Sequence, residues 1–273
     1  MKQYDLQSVK KQINECFKAH NIDSYETDYL LSEVFDCKIT ELMLIDKISK
    51  TEYSKICGIV KKRIKGKPLT KIFKRAYFYN NKFYINDNVL SCRPETELVI
   101  DEFLKLNKPK DIKVLDLCCG SGCIGLTVST LGYKNVTLAD VSEKALYVAK
   151  KNNMLLSQNA KIVKSDLFRT LHEKYDVILS NPPYIKTQEI NNLDAEVRDF
   201  DPYISLNGGE DGLYFYKKII LNLNNYLAEN GVIIFEIGFD EAEQVTSMFD
   251  VRYDVKVIKD YSNNDRVIVA KRR

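Results

Sequence analysis

Histidine is scarce in this 273-residue sequence, and long apolar runs are absent. The only two histidines, His20 and His172, are far apart, and the cysteines have no zinc-type spacing, so we expect no metal site. No apolar stretch approaches the ~20 residues needed to span a bilayer, and the polar start over residues 1–5 lacks the apolar core of a signal peptide. We therefore expect a cytoplasmic protein without membrane contact.

Charge and cysteine content also limit the partners. The 41 basic and 38 acidic residues give a formal net charge of +3, which is too balanced to indicate bulk nucleic-acid binding. Residues 271–273 form a small basic tail. The seven cysteines lie mostly in apolar stretches, so we expect reduced thiols rather than a disulfide framework.

The first seventy residues show the pattern of short amphipathic helices. Apolar residues recur at helical spacing over residues 9–17, 30–35 and 56–64. Ser24 and Thr51 are candidate N-caps, since a hydroxyl there can accept hydrogen bonds from the free amides of a first turn. We predict an all-α N-terminal domain in this part of the chain.

The domain boundaries follow from changes in these patterns. We assign residues 1–67 to the helical N-terminal domain, which ends where Gly66-Lys67-Pro68 breaks the helical spacing. Residues 68–92 are predicted to be a linker with a β-hairpin, whose turn lies around Asn80-Asn81. The rest of the chain, residues 93–273, is predicted to be the catalytic domain.

Short apolar runs alternate with helical patterns in this last domain. Such alternation predicts an α/β fold with a mostly parallel sheet covered by helices. The final two runs are too close together for a crossover helix, so we expect that pair to be antiparallel. The runs cover residues 114–117, 136–139, 161–164, 177–180, 232–237, 255–259 and 267–270.

A glycine-bearing loop follows the first predicted strand. Asp116 is expected to end the strand, and the loop Cys118-Cys119-Gly120-Ser121-Gly122 then opens a helix with a Gly-x-Gly-x-x-Gly pattern. Asp140 closes the second strand, where a carboxylate can accept hydrogen bonds from both hydroxyls of a ribose. The two features together predict a cofactor that contains a nucleoside.

Two classes of cofactor are compatible with that pattern. In nicotinamide dehydrogenases the first glycine follows the strand directly and faces a pyrophosphate, whereas Asp116 stands here. An acidic residue before a glycine loop resembles the first motif of class I methyltransferases, whose donor is S-adenosyl-L-methionine. In this resemblance Asp166 would accept from the adenine amine and Leu167 would pack on the ring. Alternatively, Asp166 could cap a following helix.

The fourth strand leads into the loop Asn181-Pro182-Pro183-Tyr184. Each proline restricts its own φ and the backbone of its predecessor, so the loop is stiff, and neither proline has an N–H. The Asn181 side-chain oxygen and the Pro182 carbonyl can then accept the two hydrogens of a planar NH2 group. Tyr184 could cover the flat face of that group or simply pack under the next loop, and an ordinary strand-ending turn is the alternative for the whole motif.

Several motifs together resemble the HemK family, whose members are N5-glutamine methyltransferases of peptide chain release factors. The resemblance spans residues 68–273. Three positions depart from the family pattern: Cys118 and Lys74 stand where glycine is common, and Cys92 stands where proline is common. The matching motifs are residues 93–97, 114–122, 181–184, 200–202, 207–213, 235–238 and 264–267.

The resemblance implies a class I, Rossmann-like methyltransferase domain with a seven-stranded sheet. It implies that the glutamine in the Gly-Gly-Gln motif of class I release factors is methylated, that S-adenosyl-L-homocysteine is released, and that the N-terminal domain recognises the substrate. We expect a monomer that needs no metal. The implied catalytic residues are Asn181, Pro182 and Tyr184; the implied substrate-binding residues are Asn181, Pro182, Pro183 and Tyr184; and the implied cofactor-binding residues are Cys118, Cys119, Gly120, Ser121, Gly122, Asp140, Asp166, Leu167 and Asn181.

Three other functions use the same motifs. The substrate could be a glutamine of a ribosomal protein, or the N6 amine of an adenine flipped out of nucleic acid. The balanced charge argues against the second, since such enzymes usually carry a basic surface. A non-catalytic S-adenosylmethionine-binding adaptor is also conceivable, but an adaptor would not need the amide-binding loop.

Overall fold

The computed structural model describes residues 3–273, which form two compact units. The first unit ends at Lys74 and the second runs from Arg75 to Arg273. The segment predicted to be a linker contributes to both cores: Leu69 is buried in the first core, and Phe78 and Phe83 are buried in the second. No helix within the described part of the chain is long and apolar enough to cross a membrane.

The first unit is mainly helical, as predicted. The apolar face of its first helix, Leu6, Val9, Ile13 and Phe17, is buried in the unit's core. The unit also contains one antiparallel pair of three-residue strands, which the sequence pattern did not indicate. Its elements are β1 (Gln3–Asp5), α1 (Leu6–Ala19), α2 (Tyr25–Phe35), a 3-10 helix (Ile39–Leu44), β2 (Lys47–Ser49), α3 (Lys50–Arg63) and α4 (Leu69–Phe73).

One of the two predicted N-caps is wrong. Helix α3 is capped by Ser49, whose hydroxyl accepts from the Glu52 amide at 3.2 Å while the Glu52 carboxylate accepts from the Ser49 amide at 2.7 Å. Thr51 lies inside the first turn of this helix and cannot cap it. Ser24 does occupy the N-cap of α2, but its side chain makes no capping hydrogen bond.

Lys74 ends helix α4 with a left-handed backbone, at φ 55°. That conformation costs a residue with a Cβ about 1–2 kcal/mol, of which the greater unfolded-state entropy of glycine offsets about 0.5–1 kcal/mol. We therefore expect Lys74→Gly to raise the free energy of unfolding by about 0.5–1 kcal/mol, measured by urea denaturation. Lys74→Ala, which keeps the Cβ, is the control, and equal stability of the two variants would contradict the argument.

The hairpin forms between β3 (Arg75–Phe78) and β4 (Asn81–Tyr84). Its turn residues are Tyr79 and Asn80, with φ of 48° and 64°, so the turn lies one position before the predicted Asn80-Asn81. Positive φ at both central residues is typical of a type I′ turn. Asn81 is instead the first residue of β4 and pairs with Phe78.

A seven-stranded sheet forms the centre of the described second unit, with strand order β10-β11-β9-β8-β5-β6-β7. All seven predicted strands are present, and the last two pair antiparallel, as predicted. The predicted basic tail is wrong, because residues 271 and 272 belong to the last strand. The strands are β5 (Lys113–Leu117), β6 (Asn135–Asp140), β7 (Lys161–Lys164), β8 (Tyr175–Ser180), β9 (Leu227–Glu236), β10 (Tyr253–Lys259) and β11 (Asp265–Arg272).

Helices cover both faces of the sheet. Two separate apolar clusters result, one involving α5, α6 and α7 and the other involving α9 and α10. Burial on both faces explains why the strands read as continuous apolar runs. The helices are α5 (Glu97–Lys105), α6 (Cys123–Thr130), α7 (Glu143–Leu155), α8 (Ala195–Arg198), α9 (Tyr214–Tyr226) and α10 (Ala242–Ser247), with 3-10 helices at Pro94–Thr96, Thr187–Asn192 and Tyr203–Ser205.

The strand order reverses at β5. From this strand the chain proceeds to β6 and β7 on one side, and then returns to β8 and β9 on the other side. All five of these strands are parallel, so their carboxyl ends lie at one edge of the sheet. Open α/β sheets bind ligands at such a switch point, outside the carboxyl ends of the strands.

Candidate active site

A cleft lies at the carboxyl ends of β5, β6 and β7. It encloses about 960 Å³, open solvent at its mouth included. Its walls are mainly apolar, with a few polar groups. We call this cleft the donor cleft. The predicted site residues that line it are Cys118, Cys119, Gly120, Ser121, Asp140, Asp166, Leu167, Asn181 and Pro183.

The glycines of the loop after β5 have different surroundings. Gly120 has φ 53°, and no atom lies within 4 Å of the position that a Cβ would occupy. It therefore leaves open space at the wall of the donor cleft. Gly122 lines no part of that cleft, because its Cβ position faces Leu126 and Leu138 at 3.1 and 3.2 Å. Gly122 thus provides the turn into α6, while Gly120 provides room for a ligand.

Asp116 of β5 holds the first turn of helix α6. The sequence predicted that it ends the strand, but the strand continues to Leu117 and the Asp116 side chain is fully buried. Its Oδ2 accepts from the Gly125 amide at 2.8 Å, and a Cβ on Gly125 would lie 2.8 Å from the Cβ of Asp116. Burial raises the pKa of the Asp116 carboxyl to about 7. The close approach of helix and strand here requires glycine at position 125.

Asp140 lies at the end of β6 and lines the donor cleft. Its Oδ2 accepts from the Gly120 amide at 2.9 Å, and its Oδ1 accepts from the Ser142 amide at 2.8 Å. These two bonds hold the carboxylate in one orientation at the wall of the cleft. Because each carboxylate oxygen has a second lone pair, both can still accept from a bound ligand.

Two residues with side chains adopt left-handed backbones in the wall of the donor cleft. Cys118 has φ 61° and Leu167 has φ 48°. Cys118 stands where the family that the sequence resembles commonly has glycine, and the backbone here does adopt positive φ. Each such residue costs about 1–2 kcal/mol, and strain of this kind tends to concentrate at ligand sites.

Asp166 lies at the exposed rim of the donor cleft. The alternative interpretation, that it caps a following helix, is wrong, because residues 166–170 form turns and no described helix begins there. The turn is held instead by the Ser165 hydroxyl, which accepts from the Thr170 amide at 3.1 Å. The Asp166 carboxylate is therefore not required as a helix cap.

The Asn181 amide is held on one side only. Its Nδ2 donates to Glu236 Oε2 at 2.9 Å and to Thr96 Oγ1 at 3.2 Å. Thr96 Oγ1 and Glu236 Oε2 are 2.5 Å apart, so both acceptors lie on the same side of the amide nitrogen. The oxygen, Oδ1, points away from Nδ2 and can accept a hydrogen bond.

Tyr184 is anchored through its hydroxyl, which donates to Glu236 Oε1 at 3.1 Å. Burial, followed by the nearby Glu236 carboxylate, raises the pKa of the Tyr184 hydroxyl above its usual range, so the group stays protonated. Its backbone also packs closely on the following segment, where a Cβ on Gly208 would lie 2.7 Å from the Tyr184 Cα. The loop is therefore held at both ends.

A second cleft of about 990 Å³, open solvent included, lies on the other side of the loop. Pro182 and Tyr184 line this acceptor cleft, together with Glu236 and Arg266. Four residues line both clefts: Leu90, Arg93, Asn181 and Ser205. Asn181 thus lies where the two clefts meet, which is the geometry that a group transfer between two bound molecules requires.

The wall shared by the two clefts is tied together by Asp201. Its Oδ2 accepts from Arg93 Nη2 at 2.9 Å, and its Oδ1 accepts from the Ser91 amide at 3.3 Å. Asp201 and Glu236 lie in motifs of the family resemblance, but neither was predicted to be a site residue. Glu236 is the last residue of β9, as Asp140 is of β6, but it lies inside the predicted apolar run 232–237 and so was not marked as a strand-ending polar residue.

No group of three or more histidine, cysteine, aspartate or glutamate side chains in residues 3–273 is arranged to hold a metal ion.

The comparisons with known proteins agree on one class of enzyme. The family model "Methyltransferase small domain" matches residues 94–197. A release factor glutamine methyltransferase of Thermodesulfovibrio yellowstonii is 35% identical over 274 residues, which cover 95% of this chain and 96% of that protein. A ribosomal protein uL3 glutamine methyltransferase of Francisella tularensis is 43% identical over 179 residues, but these cover only 63% of this chain and 57% of that protein.

A solved structure supports the fold. The chain is similar to a 16S rRNA N2 G1207 methyltransferase of T. thermophilus, solved in complex with AdoMet and guanosine, with a TM-score of 0.51 and 15% identity. The match covers 73% of this chain and 50% of that one. At this identity the similarity shows a common methyltransferase fold and nothing about the substrate.

Proposed function

This chain belongs to the HemK family of release factor glutamine methyltransferases, and we propose that it methylates class I peptide chain release factors. The methyl group would pass from S-adenosyl-L-methionine to the N5 amide nitrogen of the glutamine in their Gly-Gly-Gln motif. The observation that carries the proposal is the position of Asn181, between two clefts, with its Oδ1 left as an acceptor.

The residues of the donor cleft fit such a cofactor. The open space beside Gly120 allows a ligand to approach the backbone, and the oriented Asp140 carboxylate can accept from two ribose hydroxyls. Asp166 and Leu167 would hold the adenine. When bound, S-adenosyl-L-methionine supplies a methyl group on a positively charged sulfur, and S-adenosyl-L-homocysteine is released after transfer.

The loop residues would bind and orient the glutamine amide. The Asn181 Oδ1 and the Pro182 carbonyl each accept one of its two N–H hydrogens, and Tyr184 stacks on the amide plane. This matters because the lone pair of an amide nitrogen is delocalised into its carbonyl, which makes the nitrogen a poor nucleophile. Two fixed acceptors stabilise the positive charge that develops on the nitrogen. They also direct the nitrogen at the methyl group. The proton can leave after transfer, so no general base is needed first.

The partner and the setting follow from this substrate. We propose that the helical N-terminal domain, residues 1–67, recognises the release factor, and that the enzyme acts in the cytoplasm as a monomer without direct contact to nucleic acid. Exposed apolar side chains on the 3-10 helix of that domain, Met43 and Leu44, support a role in protein recognition.

One assay tests the proposed function. The enzyme is incubated with labelled S-adenosyl-L-methionine and a panel of purified release factors, ribosomal proteins and nucleic acids, and the label is located by mass spectrometry. We expect it on the glutamine of the release factor motif. Label on a ribosomal protein glutamine would reassign the substrate, and label on adenine would overturn the proposed chemistry.

The cofactor assignment has its own test. We expect Asp140→Ala to weaken binding of S-adenosyl-L-methionine by about 1–3 kcal/mol, the scale for lost hydrogen bonds to a charged group. Calorimetry on the wild-type protein and the variant measures the difference. Asp254→Ala is the control, since Asp254 is an exposed carboxylate paired with Arg273. Undiminished affinity of Asp140→Ala, or saturable binding of a nicotinamide dinucleotide in place of the methyl donor, would contradict the assignment.

A further inference from the structure

Glu236 is a buried carboxylate placed beside Asn181 by the register of the sheet. Strands β8 and β9 are parallel neighbours, and Ser180 is opposite Phe235. The residues that follow this pair are Asn181, directly after β8, and Glu236, the last residue of β9, and both lie at the same edge of the sheet. Glu236 is only 2% exposed, so its side chain is fixed among its neighbours rather than in solvent.

The three partners of Glu236 all donate to it. Its Oε2 accepts from Thr96 Oγ1 at 2.5 Å and from Asn181 Nδ2 at 2.9 Å, and its Oε1 accepts from the Tyr184 hydroxyl at 3.1 Å. Burial raises the pKa of the Glu236 carboxyl, and the hydrogen bonds from Thr96 and Tyr184 oppose that rise and favour the ionised form. One side chain thus contacts the first and the last residue of the Asn181–Tyr184 loop.

We propose that Glu236 is the positioning residue that orients the Asn181 amide, so that Oδ1 faces the acceptor cleft and Nδ2 faces the protein. The inference rests on the proposed function, because it assigns Oδ1 to the substrate nitrogen. The two ends of an asparagine amide have nearly the same shape, so packing alone does not distinguish them. Charge does, because a flipped amide would place Oδ1 beside the Glu236 carboxylate, where two acceptors repel each other.

Thr96 favours the same orientation of the Asn181 amide. Its hydroxyl donates to Glu236 and accepts from Asn181 Nδ2, so the direction of every bond in the triangle is fixed by the charge on Glu236. Without that charge, the hydroxyl could donate to Asn181 instead. In the proposed mechanism Glu236 thus acts on the substrate amide through Asn181.

Glu236→Gln is the variant that tests this role, because it keeps the shape and removes the charge. A glutamine amide can donate to Asn181 and so permits the flipped orientation. We expect kcat for release factor methylation to fall about tenfold or more, as for a lost hydrogen bond to a charged group. The KM values for both substrates and the Tm should change little. Glu102→Gln, at a buried carboxylate of α5 that pairs with Lys105, is the matched control.

A double-mutant cycle with Asn181→Ala separates positioning from a purely structural role. If Glu236 acts through Asn181, Glu236→Gln costs almost nothing further once Asn181 is alanine. The inference would be overturned if the two losses of kcat multiply in the double variant, or if Glu236→Gln alone leaves kcat unchanged. If Glu236→Gln does not fold, Thr96→Val replaces it in the cycle with Asn181→Ala. Independent effects of those two substitutions on kcat would equally overturn the inference.

The activity of the wild-type enzyme distinguishes a failure of the proposed function from a failure of the role inferred for Glu236. A wild-type protein that methylates no release factor overturns the proposed function, and this inference with it. A wild-type protein that methylates the release factor, with a Glu236→Gln variant equally fast, overturns only the role of Glu236.

Discussion

Replacing Asn181 by alanine should lower the single-turnover rate of methyl transfer about 10²- to 10³-fold, the usual effect of losing one preorganised polar contact in an active site. The substitution deletes the Oδ1 acceptor that orients the substrate nitrogen. It leaves the other acceptor, the Pro182 carbonyl, in place, so some rate remains. The measurement is transfer to the release factor at saturating donor, with mass spectrometry of the modified peptide.

The fold should survive this substitution. Asn181 is only half-buried, and Glu236 keeps two of its three donors, Thr96 and Tyr184. Asn222→Ala is a suitable control, because Asn222 is likewise half-buried and its side chain donates to the Lys218 carbonyl of the same helix, α9. A wild-type rate in Asn181→Ala would show that the amide is not oriented by this side chain, and the proposed mechanism would be wrong.

The sheet was predictable from sequence because its strands are buried on both faces. Each strand therefore appears as a short apolar run, and the close spacing of the last two runs indicated their antiparallel pairing. The β1–β2 pair was not predictable, because Gln3–Asp5 and Lys47–Ser49 are three residues each, far apart, and carry no apolar run. Only their pairing across the first unit makes them strands.

The residues at the strand ends were predictable for a different reason. Asp140 and Asn181 are polar side chains that directly follow apolar runs, which marks the ligand edge of a parallel sheet. The role of Glu236 could not be predicted in the same way, because it depends on which residue of β8 lies opposite which residue of β9. The sequence pattern likewise could not show that Gly120 faces the cleft while Gly122 faces Leu126.

The close contact between Gly208 and Tyr184 gives the second large effect. A Cβ on Gly208 would lie 2.6 Å from the Gly212 carbonyl oxygen and 2.7 Å from the Tyr184 carbonyl carbon and Cα. These are all backbone atoms, so no change of side-chain rotamer can relieve the clash. The Gly208 amide also donates to the Ile185 carbonyl at 2.8 Å, which holds the two segments together. An added methyl group must therefore push the Gly208 segment and the end of the Asn181–Tyr184 loop apart.

We expect Gly208→Ala to lower methyl transfer about 10²-fold, since a misplacement of ~1 Å at reacting groups costs about that factor. Donor affinity should be unchanged, because Gly208 does not line the donor cleft. Gly58→Ala in α3 is the matched control: its Cβ would meet no atom within 4 Å, so activity should be retained. Single-turnover transfer and calorimetry with S-adenosyl-L-methionine measure the two quantities. A folded Gly208→Ala variant with a wild-type rate would mean that the position of Tyr184 does not depend on this contact. It would also mean that the loop can shift without loss of transfer, which contradicts the proposed orientation of the amide.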